Sequence, residues 1–160
     1  MPTKQATTSR SESRNDDNVF SEAERAAVAA TARERKAASG RSPAEERAEG
    51  LHDLQESISK MPSDDRAMAT RIHEIVTAAV PEFVSKTYYG MPAYATEGKN
   101  GKVICFFKPK SKFKVRYSTF GFQPDAKLDD GAMWPTEFAV IELTPAVEQR
   151  IAELARKGAG

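Results

Sequence analysis

The chain has 160 residues, of which 39% are hydrophobic and 29% are charged, and its formal net charge is +1. This length suits one ordinary domain with an appendage, and the balanced charge excludes a strong general attraction to nucleic acid. A lone cysteine, Cys105, excludes an internal disulfide and any CxxC redox or zinc site. Because there is no apolar run of membrane-spanning length and no apolar segment typical of a secretory signal near Met1, we expect a soluble cytoplasmic protein.

The N-terminal part of the chain is polar. Residues 1–18 offer almost nothing to bury, so they predict a disordered tail. Residues 19–49 predict a polar helical extension, in which Ser21 and Glu24 form a capping box at the start of a mostly exposed helix. This helix is expected to end near Gly40.

Two further helices follow. Ser42 and Pro43 predict the start of the second helix, which carries a narrow apolar stripe formed by Leu51, Leu54 and Ile58. The third helix is expected to be capped by residues 63–65 and to end before Pro81. It has the first strong core-facing stripe in the chain, formed by Met68, Ile72, Ile75, Val76 and Ala79.

The segment from Phe83 to Phe138 holds twelve of the thirteen aromatic residues and predicts short strands. The strand-forming runs are 87–89, 91–95, 103–107, 113–122 and 138–143, and the run 103–107 is apolar enough to be central. A C-terminal helix is expected from Thr144 and Pro145 to Gly158. The order indicates an α+β fold, a small antiparallel sheet with helices on one face, within residues 50–157.

Basic residues recur at every second position from Lys108 to Arg116. In an extended chain they would share one side, so Lys112, Lys114 and Arg116 are candidate ligand-binding residues. One interpretation is an anion-binding stripe for phosphate, nucleic acid or an acidic partner. The other is the solvated face of an edge strand, where Lys prevents edge-to-edge pairing.

Four carboxylates, Asp125, Asp129, Asp130 and Glu137, surround the only tryptophan, Trp134. Hard oxygen ligands of this kind suit iron, magnesium or calcium, so the four residues are candidate metal ligands. The alternative is that the aspartates cap a turn and that Glu137 is solvated.

Large side chains near this loop suggest a small pocket. Tyr88, Met91, Tyr94 and Trp134 are candidate wall residues, with tyrosine hydroxyls at the rim. They could equally belong to the core, with their polar ends satisfied at the surface.

Classical catalytic constellations are missing from the sequence. His52 and His73 have no partners at zinc-ligand spacing and are interpreted as surface histidines, and Cys105 as a buried, unreactive thiol. Because no nucleophile–base pair can be named, a non-enzymatic binding domain is expected.

Four blocks of sequence, Tyr88–Tyr94 with GMPAY, Val103–Phe107, Lys112–Phe122 and Leu128–Thr136 with LDDGAMWP, resemble the bacterial DUF1801 (YdhG-like) family. The resemblance covers residues 50–157. It implies a small α+β domain, and one branch of the family is described as a frataxin-like iron chaperone. No catalytic residues come with the resemblance.

Three binding functions therefore stand as hypotheses. The first is an iron chaperone that uses the four carboxylates around Trp134. The second is a small-molecule or anion-binding module with the Tyr/Trp-walled pocket and a rim formed by Lys112, Lys114 and Arg116. The third is nucleic-acid binding through the Lys/Arg strand.

Overall fold

The computed structural model describes residues 21–38 and 42–160, so the predicted tail 1–18 lies outside the described part. The predicted α+β fold is confirmed. Five strands form one antiparallel sheet in sequential order: β1 Val84–Tyr88, β2 Met91–Ala95, β3 Val103–Lys108, β4 Ser118–Phe122 and β5 Glu137–Val140. The helices of the described part are α1 Glu22–Ala38, α2 Pro43–Ser59, α3 Ser63–Ala79, α4 Lys110–Phe113 and α5 Pro145–Ala159.

Three helix starts follow the predicted capping chemistry. At α1 the Ser21 hydroxyl accepts a 3.2 Å hydrogen bond from the Glu24 N–H. The Ser42 side chain accepts a hydrogen bond from the Glu45 N–H, and the Glu45 carboxylate accepts one from the Ser42 N–H. At α5 the Thr144 hydroxyl accepts from the Val147 N–H. The predicted cap at residues 63–65 is wrong, since Pro62 precedes α3 without a side-chain hydrogen bond. The predicted boundary between residues 49 and 50 falls inside α2.

The main core lies on one face of the sheet, beneath α2, α3 and α5. Its buried side chains include Leu54, Ile58, Ile72, Val76, Ile151 and Leu154 from the helices and Tyr94, Cys105, Phe107 and Phe120 from the strands. Helix α2 crosses β1 at very short range, because a Cβ added at Gly50 would lie 2.2 Å from the Ser85 carbonyl oxygen. A glycine is therefore required at this crossing.

A smaller apolar cluster occupies the second face of the sheet. Met91, Ala93 and Phe106 are buried there, and the Phe106 ring lies directly over Gly121. Helix α1 packs at this side, where Ala27 is buried. The Thr31 hydroxyl, on α1, accepts a 2.7 Å hydrogen bond from the backbone N–H of Tyr89.

The basic segment is not extended, and the prediction of a strand from Phe113 is wrong. Residues 110–113 form the short helix α4, and Lys114 then adopts a left-handed conformation with φ 54°. The backbone N–H of Ser111 donates to the Asp65 carboxylate at 3.1 Å, and that of Lys110 donates to the Ser118 hydroxyl. These bonds satisfy amides at the start of α4, where a helix leaves its N–H groups unpaired.

Candidate functional site

A groove of about 690 Å³ lies between α1, α2, the start of α3 and α4, and we call it the polar groove. Its volume is within the range of small-molecule sites. Thr87 of β1 and the turn residue Gly90 lie at its base. The β1–β2 turn is tight because Tyr89 and Gly90 both have positive φ, 50° and 76°. The turn thereby brings the end of the hairpin to α1.

Three cationic side chains reach the polar groove, from α1, from α4 and from the residue after α2. Lys112 of α4 contributes an ammonium that donates to the Tyr89 carbonyl oxygen at 3.2 Å. Arg33 of α1 and Lys60, just beyond α2, also line the groove. The Lys60 ammonium forms a 3.0 Å salt bridge with Glu56. Among these cations, Lys112 has its position fixed by a backbone acceptor.

Anionic side chains form the opposing wall. Glu49, Asp53 and Glu56 are spaced four and three residues apart on α2, which places them on one side of that helix. Asp65 of α3 also lines the groove and is only 2% exposed, with its carboxylate accepting from the Ser111 N–H. The polar groove therefore presents fixed groups of both charge signs.

The prediction that Tyr88, Met91, Tyr94 and Trp134 form the wall of one pocket is wrong. In the β1–β2 hairpin Tyr88 pairs with Met91, whereas Tyr94 pairs with Ser85, so Tyr88 and Tyr94 point to opposite faces of the sheet. Tyr94 is fully buried in the main core, and Trp134 packs against the same core. Tyr88 and Met91 instead belong to the cluster on the second face.

Of the three basic residues predicted to bind a ligand, only Lys112 lines the polar groove. Lys114 is exposed at the end of α4. Arg116 is exposed too, and its guanidinium lies 5.3 Å from the centre of the Tyr117 ring. The helical turn at 110–113 separates these side chains.

The four predicted metal ligands, Asp125, Asp129, Asp130 and Glu137, are all exposed. Within residues 21–38 and 42–160, no three His, Cys, Asp or Glu side chains gather in a group that could hold a metal ion. The structure therefore does not assemble these carboxylates into a metal centre.

His73 is not the surface histidine that was predicted. Its Nδ1 lies 3.1 Å from the Tyr94 hydroxyl in a hydrogen bond, and burial lowers the pKa of His73. Burial raises the pKa of Tyr94, and its cross-strand neighbour Cys105 adds to the effect. The predicted burial of Cys105 is confirmed, and burial raises the pKa of its thiol, which disfavours the reactive thiolate.

Sequence inspection missed most of the polar groove. Glu49, Asp53 and Glu56 carried a detectable signal, since their spacing aligns them on one side of a helix. Asp65 was interpreted only as a helix cap. Arg33 gave no signal, because its role depends on where α1 docks.

Comparison with known proteins gives no relative, since no family model, curated protein or solved structure matches the chain. Membership of the DUF1801 family accordingly stays a prediction. No helix in the described part of the chain has the length and apolar character needed to cross a membrane.

Proposed function

We propose that this protein binds a small polar molecule that carries an anionic group, and that the polar groove is the binding site. The observation that carries the proposal is the Lys112 ammonium, held at 3.2 Å by the Tyr89 carbonyl beside a groove of about 690 Å³. A cation that is already fixed loses little conformational entropy when it binds a ligand.

Two features favour an anionic group near Lys112. Arg33 enters the same groove from α1, so cations from different helices can converge on one ligand. The groove walls also reduce solvent screening, which strengthens the attraction between an ammonium and an anion relative to open water.

The acidic side of α2 adds a second requirement. Glu49 and Asp53 would repel a ligand that is anionic throughout, and they would attract a cationic group on the same molecule. The chemistry that best matches the groove is therefore a zwitterion, with its anionic group toward Lys112 and its cationic group toward α2.

The other two functions have less support. The iron-chaperone role, implied by the family resemblance, stays a prediction without a group of three candidate ligands among the described residues. Nucleic-acid binding was expected from an extended basic strand, and the helical turn of α4 removes that geometry. Absent or salt-insensitive binding to single-stranded oligonucleotides would eliminate it.

Calorimetric titration at low ionic strength tests the proposal with three probes: phosphoethanolamine, inorganic phosphate and ethanolamine. We expect phosphoethanolamine to bind most tightly, because only it satisfies both walls. Lys112→Gln should weaken its binding by about tenfold or more, the typical effect of losing a charge-assisted contact. Lys114→Gln is the matched control, since this exposed lysine does not line the groove.

The proposal is wrong if none of the three probes binds, or if Lys114→Gln weakens binding as much as Lys112→Gln. If phosphate and phosphoethanolamine bind equally tightly, the anion site at Lys112 is supported, but the proposed contact between α2 and a cationic group is wrong.

A further inference from the structure

A second groove, of about 410 Å³, lies between α1 and the second face of the sheet. We call it the apolar groove. Its base is formed by Met91 and Phe106, which are 6% and 5% exposed, and its sides by Ala27 and Phe113. A concave apolar surface of this size suits the hydrocarbon part of a small molecule.

Three charged side chains surround this apolar surface. Glu24 of α1 and Glu137 of β5 line the groove from opposite sides, and both are exposed. Neither forms a salt bridge with any residue in the described ranges, whereas other exposed glutamates such as Glu56 and Glu97 do. Two carboxylates without a salt bridge to the described part of the chain make the mouth of the groove attractive to a positive charge.

The third charged side chain is Lys108, and it shows that the Phe113 ring can bind an ammonium group. The Lys108 ammonium lies 4.6 Å from the centre of the Phe113 ring, within the range of a cation–π interaction. The groove therefore already holds an ammonium against an aromatic face, supplied by the protein itself. An ammonium from a ligand would compete with Lys108 for this position and gain the two carboxylates.

We propose that the apolar groove binds a small hydrophobic amine. The hydrocarbon part packs on Met91 and Phe106, and the protonated amine lies between Glu24 and Glu137 near the Phe113 ring.

The charges that line the groove favour this ligand over a hydrophobic carboxylate, because an anion would approach two glutamates to reach Lys108. The Lys112 ammonium lies 5.6 Å from the centre of the same Phe113 ring, but it does not line this groove and it donates to the Tyr89 carbonyl oxygen. No residue lines both grooves, so this proposal does not rest on the function proposed above.

Three probes of the same shape and different charge test the proposal: phenethylamine, 2-phenylethanol and phenylacetate. Amide chemical shifts in the full chain, followed by NMR during titration, locate the binding site and give the affinity. We expect phenethylamine to bind about tenfold more tightly than 2-phenylethanol, with shifts at residues 89–91 and 106–108, and phenylacetate to bind most weakly.

Variants of the charged groove residues test the carboxylates and the lysine separately. The double change Glu24→Gln and Glu137→Gln should weaken phenethylamine binding by about tenfold and leave 2-phenylethanol unchanged. Glu22→Gln, in the same exposed turn of α1, is the matched control. Lys108→Met should tighten phenethylamine binding severalfold, because it removes the competing ammonium.

Several results would overturn the proposal. Phenylacetate binding more tightly than phenethylamine would make this an anion site. Loss of phenethylamine binding in Lys108→Met would show that the lysine supports amine binding and does not compete with it. Absence of binding, equal affinity for the amine and the alcohol, or shifts confined to α2 and α4 would also refute it. None of these variants changes Lys112, so the zwitterion proposal can fail or succeed separately.

Discussion

The crossing of α2 over β1 at Gly50 allows a prediction in which two effects oppose each other. Alanine is the better helix former, so helix propensity alone predicts that Gly50→Ala stabilises the protein by about 1 kcal/mol. The added Cβ would lie 2.2 Å from the Ser85 carbonyl oxygen, and real Cβ atoms essentially never come closer than 3.0 Å to such an atom. The helix and the strand must therefore separate by roughly 0.8 Å, as the difference between those two distances requires.

The steric effect should win. Overpacking of a well-packed contact costs about 1–3 kcal/mol, and here the obstacle is backbone, which cannot rotate away as a side chain can. With the upper end of this range set against the propensity gain, we expect Gly50→Ala to lower the free energy of unfolding by about 2 kcal/mol. Because Glu49 and Asp53 line the polar groove from the same helix, binding of phosphoethanolamine should weaken as well.

Urea denaturation of Gly50→Ala and of the reversed change Ala48→Gly measures both effects. Ala48 is exposed on α2, so its replacement reports propensity without the steric contact and should cost about 1 kcal/mol. If Gly50→Ala is as stable as the natural chain while Ala48→Gly shows its normal cost, the close crossing does not constrain α2 and the steric prediction is wrong.

Two further predictions concern buried polar groups. Asp65→Ala leaves the Ser111 N–H without its acceptor and should cost about 1–3 kcal/mol in urea denaturation, whereas exposed Asp64→Ala should cost less than about 1 kcal/mol. Equal losses of stability in Asp65→Ala and Asp64→Ala would show that the hydrogen bond between Ser111 and Asp65 adds no stability. Burial lowers the pKa of His73 below 6.5, so the unfolded chain takes up a proton more readily than the folded one. Stability should therefore fall as the pH drops below about 6.5. His73→Gln should reduce this loss, and His52→Gln, at an exposed site, should not.

The parts of the fold that could be predicted are those specified by local sequence. The capping box at Ser42 and the Thr144 cap give the starts of α2 and α5, because each depends on atoms within three residues. The apolar run at 103–107 gives the central strand β3 for a similar reason, since its composition alone requires cover on both faces.

The basic segment could not be predicted in the same way. Period-two spacing suggests an extended chain, but Ser111 donates to Asp65, which is 46 residues earlier. Nothing near Ser111 in the sequence reveals this partner. A nonlocal hydrogen bond thus overrides the local pattern, and it places Lys112 at the polar groove instead of in a row with Lys114 and Arg116.

The candidate aromatic wall failed because of turn geometry. A two-residue turn at Tyr89 and Gly90 sets the hairpin register, and that register places Tyr88 and Tyr94 on opposite faces of the sheet. Tyrosine with positive φ is uncommon, so the sequence gives little sign that Tyr89 belongs to the turn and not to the strand.

Helix α1 forms part of both grooves, with Ala30 and Arg33 on one and Glu24 and Ala27 on the other. A ligand that binds only when α1 is docked stabilises the docked position of α1. Each ligand should therefore strengthen the binding of the other, although the two ligands do not touch. The Tyr89 amide, whose hydrogen bond to Thr31 exists only while α1 is docked, provides a built-in reporter. Slower hydrogen exchange at this amide with either ligand, and slowest exchange with both, would reveal the coupling.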